Sequence, residues 1–569
     1  MTKRYRYFAS FSLLLFVAVS ASAQVAPDAG SVRQEIEKDQ KQLQPKKALP
    51  EPIPNAAVAT PNAAPAATVT VTAFQFKGNK IVATPELTVA VAGFLNRPIR
   101  FSELQQAAIA VADRYRRAGW IVRTYLPPQD VSNGVVTIGV IEALFGSVRV
   151  DGDPPKRISF ARLESMVSSQ QVARETETPL NAGKLDRSLL LINDLPGFAT
   201  SANLAIGKRD RETDVILKVT DEPLFNGELS IDNSGSRFTG EDRVIATVSG
   251  NSLFHIGDQL NTTLLHAQGI NYGQLTGTAP IGYSPWRVGP HVSYLKYELV
   301  APEFSALKIN GRSTAVGLDI TYPLIRARSK NLYFSFSYEN SRFNNEANSV
   351  VTTKYKISTL EVGLKGHRFD NVGGGGINNA ALTFVSGKAD LSDSPNKLAD
   401  AASTKVNGGF NKVRYLLGRQ QHLTDNLSLY VGINGQLANG NLDSSEKLYL
   451  GGATGVRAYP ASEAGGDQGM LANVEGRAHL PHNFNATAFY DWGQITVNRN
   501  NNFAGAATLN SYNLQGIGMA VGWASSFHLK INASWSHRIG SNPRATNAGN
   551  DQDGTLKKNR FWLQASMSF

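Results

Sequence analysis

From Arg560 to the final residue, apolar and polar side chains alternate. Phe561, Leu563, Ala565, Met567 and Phe569 fall on one face, and Trp562, Gln564, Ser566 and Ser568 on the other. A period of two over about ten residues predicts a strand with lipid on one side and a water-filled lumen on the other. The same alternation runs back through the chain. Leu332, Phe334, Phe336 and Tyr338 alternate with Tyr333, Ser335 and Ser337; Leu529, Ile531, Ala533 and Trp535 alternate with Lys530, Asn532 and Ser534; Ile517, Met519, Val521 and Trp523 alternate with small residues. A soluble sandwich also alternates, but its second face would be polar rather than aromatic. From Gly227 onward there are 343 residues. At roughly 10 residues per tilted strand plus a connection of similar length, they make about 16 strands. The predicted fold is an all-β transmembrane barrel, wide enough to hold an aqueous interior unless something fills it.

Before residue 223 the period changes. Val71 to Lys77 reads as a strand, Thr84-Pro85 opens a helix, and Ser102-x-x-Gln105 reads as a capping box for a second helix with Leu104, Ala108, Val111 and Tyr115 on one face. Gly119 ends that helix, and strands follow at Trp120–Leu126 and Val135–Glu142. The order β-α-α-β-β then repeats: a strand at Gly146–Val150, helices at Ser159–Ser168 and Lys184–Asp194, and strands at Phe198–Ile206 and Val215–Thr220. Two tandem α+β units of about 75 residues each are predicted.

Upstream lie two segments without a core pattern. Asp28 to Leu43 is compatible with a helix but carries Arg33, Glu35, Glu37, Lys38 and Lys41, and almost no apolar face, so a core helix is excluded. Pro45 to Ala67 is rich in proline and alanine and reads as an extended, semi-rigid tether. Met1 to Ala23 has a basic start (Lys3, Arg4, Arg6), an apolar run from Leu13 to Val19 and an Ala-Ser-Ala site ending at Ala23, the pattern of a secretory signal peptide. No later segment approaches the roughly 18 uninterrupted apolar residues of a membrane helix.

Composition supports export. Of 569 residues, 51 are glycine, 18% are charged and none is cysteine. Stability in an oxidising compartment then rests on packing and closed sheets, and thiolate chemistry is excluded. The net charge of +11 becomes +8 without the signal peptide, a surplus that reads as ordinary surface charge. There is no H-E-x-x-H, G-x-S-x-G or G-x-x-x-x-G-K-[ST]; Gly373–Gly376 reads as a strand connection because no helix pattern follows it. His479 and His482 are the only close pair among nine histidines. No enzyme, metal or cofactor reading follows.

One stretch breaks the barrel alternation. Leu448 to Pro460 is a glycine-rich turn carrying a lone arginine, Arg457, and is followed by a stretch, Ala461 to Gly469, that reads as flexible. Farther on, Phe489-Tyr-Asp-Trp-Gly493 places Phe489 and Asp491 on one parity, opposite to Tyr490 and Trp492, which puts a carboxylate on the lumen face. A loop arginine folded into the barrel would pair with it.

These residues resemble a known superfamily of outer-membrane assembly and secretion proteins. Val456-Arg457-Ala458-Tyr459 resembles the tip of its inward-folded loop, and Phe489, Asp491 and Gly493 resemble the wall motif that meets the loop. Pro27-Asp-Ala-Gly30, the proline-rich linker, two POTRA-like repeats (Asn193-Asp-Leu-Pro-Gly197 in the second) and Asp232 to Gly240 resemble one branch, the TpsB transporters of two-partner secretion. One departure is Ala458, where glycine is commoner, which predicts a somewhat different backbone at the loop tip.

The resemblance implies a division into a signal peptide (1–23), an N-terminal plug helix (24–43), a linker (44–68), two POTRA domains (69–143 and 144–222) and a barrel (223–569), with the inward loop around 448–470. It implies a place in the outer membrane of a Gram-negative bacterium with the POTRA domains in the periplasm. The implied partners are a large unfolded exoprotein that folds outside as a β-helix, outer-membrane lipid, and the barrel-assembly machinery, which would read the C-terminal strand with Phe561, Leu563, Met567 and Phe569. No nucleic-acid partner is implied. Two rivals are a barrel-assembly factor, which usually carries more POTRA repeats and no plug, and a diffusion or uptake porin, which needs no periplasmic receptor domains.

Overall fold

In a computed structural model, residues 26–43, 68–171 and 178–569 are described. The predicted signal peptide with its cleavage site at Ala23 and the tether up to residue 67 lie outside the described residues. Each of the two repeats builds a three-stranded sheet whose last strand sits in the centre. In the first, Val135–Glu142 pairs in parallel with Ala73–Lys77 and antiparallel with Val122–Tyr125. In the second, Glu212–Asp221 pairs in parallel with Leu144–Val150 and antiparallel with Phe198–Ile206. Two helices cover each sheet, Thr84–Val91 and Phe101–Arg117 in the first and Phe160–Ser168 and Ala182–Asn193 in the second.

The helix face of Leu104, Ala108, Val111 and Tyr115 is buried. The cap is not where the sequence pattern put it. The helix starts at Phe101, and Glu103 rather than Gln105 reaches back, accepting from the Arg100 backbone N–H at 2.9 Å. The Arg97 guanidinium, 2.7 Å from the Glu103 carboxylate, favours the earlier start. A further pairing, Thr68–Thr70 with Pro98–Arg100, was not legible because each strand has only three residues.

Beyond the repeats, sixteen antiparallel strands close into a barrel. Numbered within the barrel, they are β1 Phe225–Asp232, β2 Arg243–Asn251, β3 Gln259–Ala267, β4 Ile270–Pro280, β5 Arg287–Glu298, β6 Asn310–Arg326, β7 Lys330–Ala347 and β8 Val350–Asp370. Then come β9 Gly376–Asp390, β10 Gly408–His422, β11 Leu427–Ala438, β12 Gln468–Leu480, β13 Phe484–Thr496, β14 Ser511–Ala524, β15 Leu529–Arg538 and β16 Asn559–Ser568.

Closure is made by β16 against β1, with Gln564 opposite Asp232 through Ser568 opposite Glu228. Phe569 and Gly227 then exchange backbone hydrogen bonds at 3.0 Å in both directions, so the last residue of the chain completes the cylinder. The outward face of β16 is the apolar one, with Phe561 68% and Phe569 70% exposed, and Leu563 and Met567 also open. Outward apolar residues on neighbouring strands, such as Leu229, Leu264, Val316, Leu382 and Met519, continue this surface around the wall. So extensive an exposed apolar surface is stable only in lipid.

The second repeat is fastened to the turns at one end of the barrel. Asp194 accepts from Nε and one terminal nitrogen of Arg326, both at 2.7 Å, Asp186 meets Arg328, and Arg187 donates to the Pro323 carbonyl at 2.8 Å. Leu195 packs where Gly257 leaves room for it.

Candidate functional site: the filled lumen

Two pieces of chain occupy the barrel interior. The first connects β11 to β12 and turns inward on a two-residue ladder, Leu448–Tyr449 with Gly465–Gly466. Gly452, at φ 102°, makes the turn that lets Val456 donate to the Leu450 carbonyl at 2.7 Å. The tip presses Leu450, Val456, Ala458 and Tyr459 against Leu471, Ile495 and Leu514 of the wall, all buried.

Arg457 projects from this apolar tip onto the lumen face of β13. Its Nε and a terminal nitrogen donate to the Asp491 carboxylate at 2.8 and 2.6 Å, and its backbone N–H adds a third bond at 3.0 Å. The guanidinium carbon stands 3.4 Å from the centre of the Phe489 ring. Gly493 completes the wall motif by omission, since a Cβ there would lie 2.9 Å from Leu450. The motif Phe-x-Asp-x-Gly is thus a stacking surface, a counter-charge and a gap, all on one strand parity. Ala458 fits because Gly516 stands opposite; a Cβ on Gly516 would come 2.6 Å from that of Ala458.

Sequence reading missed several members of this site. Glu475 supplies a second carboxylate 2.9 Å from Arg457, and Asn473 donates to Asp491 at 2.8 Å. Both share the lumen parity of β12, which was the available signal. Ser536 and the Trp562 indole both donate to the Arg457 carbonyl, at 2.7 and 2.8 Å. Trp562 therefore connects the loop tip to β16.

The stretch Ala461–Gly469 is not the flexible tail that its composition suggested. Glu463 is fully buried and accepts from Asn542 at 3.0 Å and from the Gln552 backbone N–H at 2.9 Å, both in the loop between β15 and β16. That loop is held by Asp551, which bridges Arg538 and Arg560, while Arg538 lies 4.4 Å from the centre of the Tyr459 ring. Small residues were needed for close packing, which composition alone cannot distinguish from mobility.

The second piece is the helix Ala29–Leu43. It does have an apolar stripe. Ala29, Val32 and Ile36, spaced by three and four, are buried in a cluster with Tyr272, Tyr297, Phe343 and Tyr355 of the lumen wall. Three small or branched residues among fifteen gave too weak a pattern to register as a face, yet the narrow stripe suffices because the barrel supplies the aromatics. Polar contacts surround it. Arg33 meets Glu339 of β7 at 2.7 Å and Glu37 of its own helix at 2.6 Å, Asp39 receives Arg243 of β2 at 3.0 Å, and Ser444 donates to Asp28 at 2.7 Å. The helix also touches the inward loop, where Thr454 donates to Asp39 at 3.1 Å, Lys38 donates to the Tyr449 carbonyl at 3.1 Å, and Ser462 bonds Glu35.

Known proteins share this plan. The family model of the haemolysin secretion/activation protein ShlB/FhaC/HecB matches residues 211–524, and the ShlB-type POTRA domain matches residues 69–143. The heme/hemopexin transporter protein HuxB of Haemophilus influenzae (strain 86-028NP) is 28% identical over the full length of both chains. The outer membrane transporter CdiB of Dickeya dadantii (strain 3937) is 22% identical, covering 81% of this chain and 82% of that one. The solved structure of CdiB from Escherichia coli superposes with a TM-score of 0.69 at 19% identity, covering 96% of this chain and all of the other. The chain belongs to the haemolysin secretion/activation family, the outer-membrane transporters of two-partner secretion.

Proposed function

We propose that this transporter exports one large, unfolded exoprotein, received in the periplasm by the POTRA domains (69–143 and 144–222) and passed through the barrel (223–569). The observation that carries the reading is the division of the lumen filling. The inward loop is built into the wall by Arg457 and Asp491, whereas the helix is held by a narrow stripe and separable polar contacts. The loop stays during transport and the helix leaves. Val456, Ala458 and Tyr459 seat the loop tip, while Phe489, Asp491 and Gly493 receive it. The exposed edges of the two three-stranded sheets suit the addition of an extended segment of the partner. Phe561, Leu563, Met567 and Phe569 mark β16 for the barrel-assembly machinery. The full-length likeness to HuxB favours an exoprotein that handles haem.

A comparison of secreted proteins with and without this gene tests the reading. Loss of one very large, β-repeat-rich polypeptide from the surface or medium is expected, and unchanged surface and medium would overturn it. Charge exchange, Arg457→Asp with Asp491→Arg, is expected to recover part of the secretion that either single change removes. No recovery would sink the role given to the pair.

A further inference from the structure

The outer wall carries a second charge pattern that the export function does not use. At the barrel end remote from the POTRA attachment, the outward series on five consecutive strands runs from apolar residues to a cation. On β5 it goes from Val292 and Tyr294 to Lys296, and on β6 from Leu318 and Val316 to Arg312. On β7 it reaches Arg342, followed by Asn344 and Glu346; on β8 it reaches Lys356 and Lys354, followed by Thr352; and on β9 it reaches Lys388, followed by Asp390. All six are exposed, and among the described residues none forms a salt bridge within the protein.

Two pairs stand directly opposite each other across the ladder, Lys296 with Arg312 and Arg342 with Lys356. Like charges in that position destabilise a sheet. Three carboxylates share the face and offset the cations only in part. Asp390 stands opposite Lys356 and also interacts with Lys388, Glu346 accepts from Asn344, and Glu298 lies one outward position beyond Lys296. That leaves six cations against three carboxylates. The flanking strands lack the pattern; β4 ends its outward series with Gly273 and Asn271, and β10 with Val413 and Asn411. At about 4.8 Å between strands, the row is about 20 Å wide.

We propose that this face binds the phosphates of a multiply phosphorylated lipid of the surface leaflet. Its acyl chains lie on the apolar wall at Val316, Leu360 and Phe384, and its phosphates sit between the opposed cations. Continuity with the apolar belt selects a lipid over a soluble anion, because such an occupant satisfies both halves of the series at once. Arginine offers a phosphate two parallel donors, and lysines near a membrane surface add attraction without a fixed geometry. The placement in the surface leaflet rests on the reading that the POTRA domains are periplasmic.

The test uses purified full-length protein in neutral detergent, titrated with diphosphoryl lipid A and followed by native mass spectrometry. Wild type is expected to retain the lipid and lose it as NaCl rises. The variant Lys296→Gln/Arg312→Gln/Arg342→Gln/Lys356→Gln is expected to bind about tenfold more weakly or worse, and Lys330→Gln, at the opposite rim, to bind as wild type. Equal binding of dephosphorylated lipid A by the wild type, or of lipid A by the four-fold variant, overturns the site. Those wild-type arms decide the matter even if the variant misfolds. Competition by inorganic pyrophosphate at equal concentration would overturn the lipid as occupant. Loss of lipid in the variant together with an unchanged secretome in the gene deletion would leave this site standing and remove the export reading.

Discussion

The inward loop and the N-terminal helix both fill the lumen, yet they are attached by different physics. The loop's charged group is committed: Arg457 is 13% exposed, Asp491 is fully buried, and a ring and two further wall side chains surround them. The helix relies on three apolar side chains and on polar bonds scattered over the lumen, Arg33 to Glu339 of β7, Asp39 to Arg243 of β2 and Asp28 to Ser444. The cations Arg33 and Arg243 are themselves buried. Breaking a buried pair is costly, and the loop's bonds converge on the single group Arg457, whereas the helix's are dispersed over β2, β7 and the β11–β12 connection. On the proposed export reading, the lumen opens without losing its shape because one filling leaves and the other stays.

The sharpest break comes from the loop. Asp491→Ala leaves the Arg457 guanidinium with Glu475 alone in a desolvated site, and the expected loss is about 3–5 kcal/mol of barrel stability. Heat-modifiable gel migration across a urea series reads it, and a midpoint within error of wild type would make the loop no better fastened than the helix. On the helix side, Ile36→Asp removes a buried side chain worth about 2–3 kcal/mol and puts a charge among lumen aromatics. The barrel midpoint should stay put while channel conductance in planar bilayers rises. A fall in the midpoint without added conductance would mean that the helix, too, is part of the wall. Gly516→Ala comes next. Its Cβ would meet that of Ala458 at 2.6 Å, and an overpacking cost of about 1–2 kcal/mol on the same urea series is expected. Restoration by Ala458→Gly would localise the clash.

Much of this was legible because a barrel writes itself in period two. Strand number, the lumen parity of Phe489 and Asp491, and the lipid parity of Phe561 to Phe569 all follow from alternation. The repeats were legible because their helices keep a 3.6 period over enough residues, as Leu104, Ala108, Val111 and Tyr115 show. What escaped depends on contacts between distant pieces of chain. Nothing in the sequence near Glu463 announces Asn542 and Gln552, and Val32 and Ile36 read as a buried stripe only once the lumen aromatics are in view. The charge-opposed rungs Lys296–Arg312 and Arg342–Lys356 likewise need the register, which alternation alone does not fix.

The smallest effect sits where the two fillings touch. Thr454 of the loop donates to Asp39 of the helix, and Asp39 also holds Arg243. Thr454→Ala therefore removes one hydrogen bond without stranding the carboxylate, and a net loss of about 1 kcal/mol is expected. That corresponds to roughly a fivefold shift toward the helix-out state. A spin label on the helix paired with one on β7 would count the two populations. If the shift matched that of Ile36→Asp, the loop would be gripping the helix rather than standing beside it. The difference between a fixed and a removable filling would then lie in their shared contact instead of in their separate attachments to the wall.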